Sequence, residues 1–150
     1  MKVRDAMQIK VESVSRRATA REVAELMRDG SFRHVPVVDD DGEVIGIVSD
    51  RDLLNAGAVF DIELEERSES GIPAEIVIEA VMTENPRTVS SADSLASAVS
   101  LLADKQYGAL PVVDEGRLSG ILSYVDLLRV LERLLNAANP ANPVDPALPS

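Results

Sequence analysis

His34-Val35-Pro36-Val37-Val38-Asp39 opens a stretch that closes on Gly46-Ile47-Val48-Ser49-Asp50-Arg51-Asp52. Two short apolar runs, His34 to Val38 and Val44 to Val48, flank the polar turn Asp39 to Gly42, a pattern that predicts a β-hairpin. The second run leads straight into a helix start over Asp50 to Asn55. Upstream, Thr19-Ala20-Arg21-Glu22 has the residues of a capping box, a hydroxyl followed three positions later by Glu. Ala20, Val23, Ala24 and Met27 follow at helical spacing on one face. Asp29-Gly30 ends that helix, with a glycine suited to a left-handed C-terminal position.

The same arrangement recurs downstream. Under a shift of 75, Met7 falls on Met82, Val14-Ser15 on Val89-Ser90, and Pro36-Val37-Val38-Asp39 on Pro111-Val112-Val113-Asp114. One residue is then lost in the hairpin turn. Under a shift of 74, Gly46-Ile47-Val48-Ser49 falls on Gly120-Ile121-Leu122-Ser123, and Asp52-Leu53-Leu54 on Asp126-Leu127-Leu128. Ordered matches with a single gap at a turn identify an internal duplication. The second copy predicts a helix over Ser94 to Ala103, with Leu95, Ala98, Val99 and Leu102 inward. Hairpin strands follow over Ala109 to Val113 and Leu118 to Leu122, then a helix over Tyr124 to Leu135 rich in leucine.

A hairpin with helices on one side cannot bury both of its faces, whereas two such units stacked together can. The expected fold is therefore one α+β domain of two pseudo-two-fold-related repeats, residues 1–56 and 74–136. It leaves apolar helix surface for another chain to cover. Between the repeats, residues 57–73 form an insert made acidic by Asp61, Glu63, Glu65, Glu66 and Glu69, read as a solvated loop. Ala74 to Val81 looks helical. Residues 137–150, with Pro140, Pro143, Pro146 and Pro149, read as an extended or disordered tail.

Composition narrows the function. The 150 residues include no Cys and one His, which excludes a disulfide framework or thiolate metal site and argues against a His-rich one. The N-terminus lacks the apolar core of a secretory signal, and no apolar run reaches the roughly 18 residues of a membrane span. A cytoplasmic location without membrane contact is expected. The net charge of −11 disfavours nucleic-acid binding, although a small anion can still bind where Arg side chains and helix N-termini converge. No catalytic set is assembled: the serines lack a neighbouring base, and there is no nucleophile elbow or Walker A pattern.

Each copy resembles a CBS domain, the module named after cystathionine beta-synthase. The resemblance rests on the lead-ins Asp5-Ala6-Met7 and Ala80-Val81-Met82, the capped helices, and the two pairs of strand motifs quoted above, and it spans roughly residues 1–136. It implies a disk-like pair with two clefts between the repeats. In such pairs the clefts hold adenosine-containing ligands: AMP, ADP, ATP or S-adenosylmethionine. It further implies a homodimer and a regulatory output to an unknown effector protein, with no obligatory cofactor and no metal.

The motif chemistry agrees. Ser49 and Ser123 stand at strand ends where free backbone N–H groups favour an anion. Asp52 and Asp126 lie three residues on, and a carboxylate suits the two adjacent hydroxyls of a ribose. The alternative reading makes each Ser a helix N-cap and each Asp a helix-start charge. Arg51 and Arg33 in the first copy stand where the resemblance implies phosphate contact, and the second copy has Val125 and Gly108 there. The Asp52 cleft is thus expected to be the better nucleotide site. Phe32 and Tyr107 precede the strands at matching positions, as cleft-wall residues near an adenine or as core packing. His34 is read either as a packed structural histidine or as a phosphate contact. Two functions stay open: a nucleotide sensor, and a dimerisation module without a small-molecule ligand.

Overall fold

A computed structural model describes residues 1–59, 76–105 and 107–141. The acidic residues of the insert from Asp61 to Glu69, and the tail from 142 onward, lie outside the described residues. The chain is an α+β structure. Its elements are β1 (Val14–Ser15), α1 (Ala20–Gly30), β2 (His34–Val38), β3 (Val44–Ser49), α2 (Asp50–Val59), β4 (Thr83–Glu84), α3 (Leu95–Lys105), β5 (Ala109–Asp114), β6 (Arg117–Ser123) and α4 (Tyr124–Ala138). Single 3-10 turns, Val3–Asp5 and Ile78–Ala80, open the two repeats.

Both hairpins form where the apolar runs predict them. In the first, the Asp39 carboxylate accepts from the N–H groups of Asp41 (3.0 Å) and Glu43 (2.9 Å), and Gly42 takes φ +81°. In the second, Glu115 and Gly116 both have positive φ, 52° and 77°, as a tight two-residue turn requires. That shorter turn absorbs the residue lost between the copies, and it extends the pairing to Asp114 and Arg117.

α1 begins at the expected capping box: Thr19 Oγ1 accepts from Glu22 N–H at 3.1 Å, and Glu22 Oε2 accepts from Thr19 N–H at 2.9 Å. Its end differs from expectation. Gly30 is still helical, and Ser31 takes the left-handed conformation with φ 56°. Glycine stands at 30 because the Phe32 ring folds back onto it and leaves no room for a Cβ. In α3, Leu95, Ala98 and Leu102 are buried, but Val99 lies on the exposed edge of the face. The stretch expected to be helical over 74–81 is, in its described part, a single turn. Extended backbone precedes it, because Ala20 N–H donates to Ile76 O and Ile78 N–H to Ala18 O, both at 2.7 Å. α4 runs to Ala138, past the expected stop at Leu135.

The two repeats exchange their lead-in segments. β4, which belongs by sequence to the second repeat, pairs antiparallel with β3, setting Thr83 opposite Ile47. Gln8 of the first repeat bridges Ile121 on β6 in the same sense. Val3 is fully buried in the core of the second repeat with Leu95, Leu102, Leu110 and Leu122, and Ile78 in the core of the first with Val23, Val35 and Val48. This crossing explains the glycine of each strand motif. A Cβ on Gly46 would strike the Met82 thioether, and a Cβ on Gly120 would come within 2.7 Å of the Gln8 carbonyl and 3.0 Å of the Met7 sulfur. Each glycine is the flat spot on which the other repeat's Met segment lies.

Candidate functional site

β3 and β6 end on serines that pass directly into helices. Ser49 N–H donates to Asp52 Oδ2 at 2.9 Å, and Asp52 N–H donates to Ser49 Oγ at 3.1 Å. In the second repeat, the N–H and the hydroxyl of Ser123 both donate to Asp126 Oδ2, at 2.8 and 2.9 Å. Both pairs are therefore helix caps, satisfying backbone donors that a helix start would otherwise leave free. The carboxylates differ beyond that. Asp52 is half-buried, and its Oδ1 has no partner among the described residues. Asp126 is only 3% exposed, and its Oδ1 accepts from Gln8 Nε2 at 2.7 Å, with Arg129 NH1 3.8 Å away.

A cleft of about 810 Å³ opens at these helix starts. That volume falls within the roughly 300–1,000 Å³ of small-molecule sites. The second repeat contributes Ser123, Tyr124, Val125, Asp126 and Arg129 from α4 and the end of β6, with Gly108 and Ile121. The first repeat contributes Phe32, Arg33 and His34 at the start of β2, and Ser49, Asp50 and Arg51 at the start of α2. The segment from Gln8 to Glu12 completes it.

Four cationic side chains line the cleft, Lys10, Arg33, Arg51 and Arg129, against three carboxylates, Glu12, Asp50 and Asp126. In a chain of net charge −11 this is a local reversal of sign. Such a reversal draws a small anion to one place on a surface that otherwise repels it. His34 is half-buried, and that burial holds its pKa below the ordinary histidine value, against the opposing pull of Asp50 and Asp52 and with help from Arg33. The imidazole is therefore neutral at neutral pH, able to donate and to accept a hydrogen bond. It lies directly over Gly108, where a Cβ would run into its ring.

Seven of the residues singled out from sequence meet here: Phe32, Arg33, His34, Ser49, Arg51, Ser123 and Asp126. Asp52 and Tyr107 do not line this cleft. The sequence reading set Arg33 and Arg51 beside Asp52. In the structure they line the same cleft as Asp126, because the helix starts of the two repeats meet there. The apparent deficit of the second copy, Val125 and Gly108 in place of arginines, is thus made up by the first copy's arginines in the same cleft. Phe32 does double duty, packing on the first core as well as lining the cleft.

Gln8, Lys10 and Arg129 escaped the sequence reading. Arg129 had a signal, since it follows Asp126 by three on one helix face. Gln8 and Lys10 had none, because only the crossing of the lead-in segments brings them to α4. Among the described residues, no group of three or more His, Asp or Glu is arranged to hold a metal ion. No helix there is long and apolar enough to cross a membrane.

Comparison with known proteins bears on both the fold and the site. The chain matches the CBS domain family twice, over residues 3–59 and 78–133. It is 32% identical over 127 residues to the uncharacterized protein YlbB of Bacillus subtilis, covering 84% of this chain and 79% of that protein. It also matches a homoserine O-acetyltransferase of Methanocorpusculum labreanum at 33% identity over 115 residues, but spans only 21% of that enzyme's length. Among solved structures, AcuB of Vibrio cholerae superposes with a TM-score of 0.77 at 29% identity, covering 95% of this chain and 98% of that one. CBSX2, solved in complex with AMP, gives 0.75 at 26%, covering 89% and 97%. The CBS domain pair of MJ0100, solved with 5′-methylthioadenosine and S-adenosyl-L-methionine, shares the fold with a TM-score of 0.74 at 22%, covering 87% and 99%. The two matched repeats, in a chain whose fold is that of CBS domain pairs, establish that the protein belongs to the CBS domain family.

Proposed function

We propose that the protein is a regulatory module that senses an adenosine-containing nucleotide in the cleft between its repeats. The observation that carries this reading is one cleft that unites a buried carboxylate, Asp126, with four cationic side chains and the Ser49 and Ser123 helix starts. A ribose diol suits the carboxylate, and phosphates suit the arginines. The neutral His34 and the Phe32 ring offer the polar and apolar contacts an adenine uses. CBSX2, a relative of the same fold, binds AMP. The output passes to an effector protein, and the module itself carries out no reaction. A cytoplasmic location fits a chain without cysteine.

Calorimetric titration with AMP, ADP, ATP and S-adenosylmethionine tests this. One nucleotide is expected to bind saturably. Asp126→Ala and Arg33→Ala should each weaken it by roughly 10- to 100-fold, the size of a lost charge-assisted hydrogen bond. Asp52→Ala tests whether the second motif carboxylate, whose Oδ1 is open among the described residues, serves another site. Silence across the panel from a folded protein would refute the sensor reading.

The second reading, a dimerisation module, draws on α4. Leu128, Leu131 and Leu135 recur at helical spacing and are 61%, 49% and 54% exposed. This stripe fits a homodimer interface, which a nucleotide sensor would use as well.

A further inference from the structure

The Asp126 carboxylate is already engaged from within the chain by three hydrogen bonds, against the roughly four that a carboxylate can accept. Oδ2 takes both donors of Ser123, and Oδ1 takes the Gln8 carboxamide at 2.7 Å with the Arg129 guanidinium near it. A ribose diol needs two free acceptor positions on one carboxylate, and here at most one lone pair remains. Gln8 and Asp126 both line the cleft, so the carboxamide holds a position that a ligand would need.

Among the described residues, the other repeat has no such device. Thr83 is the counterpart of Gln8 under the internal repeat and pairs with Ile47 as Gln8 does with Ile121. Its short side chain makes no hydrogen bond to Asp52, whose Oδ1 is open among the described residues. Gln8 is also well placed to yield. Its backbone is pinned by Gln8 N–H to Ile121 O at 2.9 Å and Ile121 N–H to Gln8 O at 3.0 Å. Only the side chain has to rotate away.

We infer that Gln8 is an internal competitor at Asp126, a specificity-determining residue whose carboxamide a ribose diol must displace. The inference rests on the nucleotide reading above and goes beyond it by naming what the ligand works against. The competition taxes ligands with two vicinal hydroxyls and leaves those with one untaxed, because the remaining lone pair accommodates a single hydroxyl.

The test is calorimetry on the full chain with AMP and with 2′-deoxy-AMP, comparing the wild type with Gln8→Met and Gln8→Ala. Gln8→Met keeps the length of the side chain and removes the carboxamide. AMP is expected to bind roughly tenfold tighter to both variants, as befits removal of one charge-assisted hydrogen bond. The 2′-deoxy-AMP affinity should change less than about twofold, since its single hydroxyl needs no displacement. On adding AMP to the wild type, the Gln8 side-chain amide resonances should move toward those of a solvated carboxamide. Unchanged or weaker AMP binding by Gln8→Met would overturn the inference while leaving the nucleotide reading intact. Equal gains for both nucleotides would overturn it too, by pointing to cleft volume alone. If neither the wild type nor any variant binds AMP, ADP, ATP or S-adenosylmethionine, the nucleotide reading falls and takes the inference with it; if another of these binds but AMP does not, the inference alone is overturned.

Discussion

Replacing Val3 by alanine tests the exchange of lead-in segments, from which the cleft follows. Val3 is fully buried. Its N–H donates to Asp93 O at 3.0 Å, and Arg4 N–H to Ser91 O at 3.0 Å, so the segment is stitched to the second repeat. Its side chain packs with Leu95, Leu102 and Leu122. The substitution removes two buried methyl groups, worth about 0.8 kcal/mol each, so about 1.6 kcal/mol in transfer terms. Incomplete collapse of the remaining cavity brings the loss to about 2 kcal/mol. For a chain of this size that lowers Tm by about 4–8 °C. Urea unfolding followed by circular dichroism gives the free energy, and a thermal scan gives Tm. A frayed terminus would tolerate the change within about 0.5 kcal/mol. A loss that small, in Val3→Ala, would refute the placement of the segment in the second core.

Other consequences follow from the same geometry. Gly120→Ala sets a Cβ within 2.7 Å of the Gln8 carbonyl, so the strand and the crossing segment must part; a loss of about 1–3 kcal/mol in urea unfolding is expected. His34 is the chain's one histidine, and its folded pKa lies below the ordinary value of 6.5 because burial disfavours the charged ring. Near pH 6.5 the unfolded state therefore binds more protons, so stability rises with pH through that window, levels off above it, and is lost as pH falls toward the folded value. Urea titrations from pH 5 to 7.5 should show this slope in the wild type and its flattening in His34→Gln. A slope that persists in His34→Gln would contradict it. The proposed homodimer predicts a dimeric wild type in sedimentation velocity and a monomer for Leu128→Glu combined with Leu131→Glu, while a monomeric wild type or an unchanged oligomeric state in the variant would contradict an interface on the α4 stripe.

Much of the fold is legible because its signals are local. Thr19 and Glu22 announce their capping box within four residues, and the Pro-Val-Val runs beside Gly-bearing turns announce the hairpins. Duplication then makes the second copy legible from the first. The errors are tertiary. Gly30 invited a left-handed cap, yet the returning Phe32 ring explains it and Ser31 takes the strained position. The residues before Val81 suggested a helix, but pairing with the start of α1 keeps Ile76 and Val77 extended. The site was half legible for the same reason. Ser49, Asp52, Ser123 and Asp126 stand in a readable motif whose capping bonds span three residues. The bond from Gln8 to Asp126 spans 118 residues, and no period in the sequence carries it. Arg33 and Arg51 stand out by type and position, but which carboxylate they share a cleft with depends on how the repeats meet.

The most direct test of the central claim is an amide chemical-shift titration of the isotopically labelled full chain with AMP. The account predicts saturable shifts concentrated at Gln8, Arg33, His34, Arg51, Gly108, Ser123 and Asp126, with the leucine stripe of α4 little changed. Saturable binding whose shifts cluster away from these residues, or no shifts at millimolar AMP, ADP, ATP or S-adenosylmethionine, would contradict it.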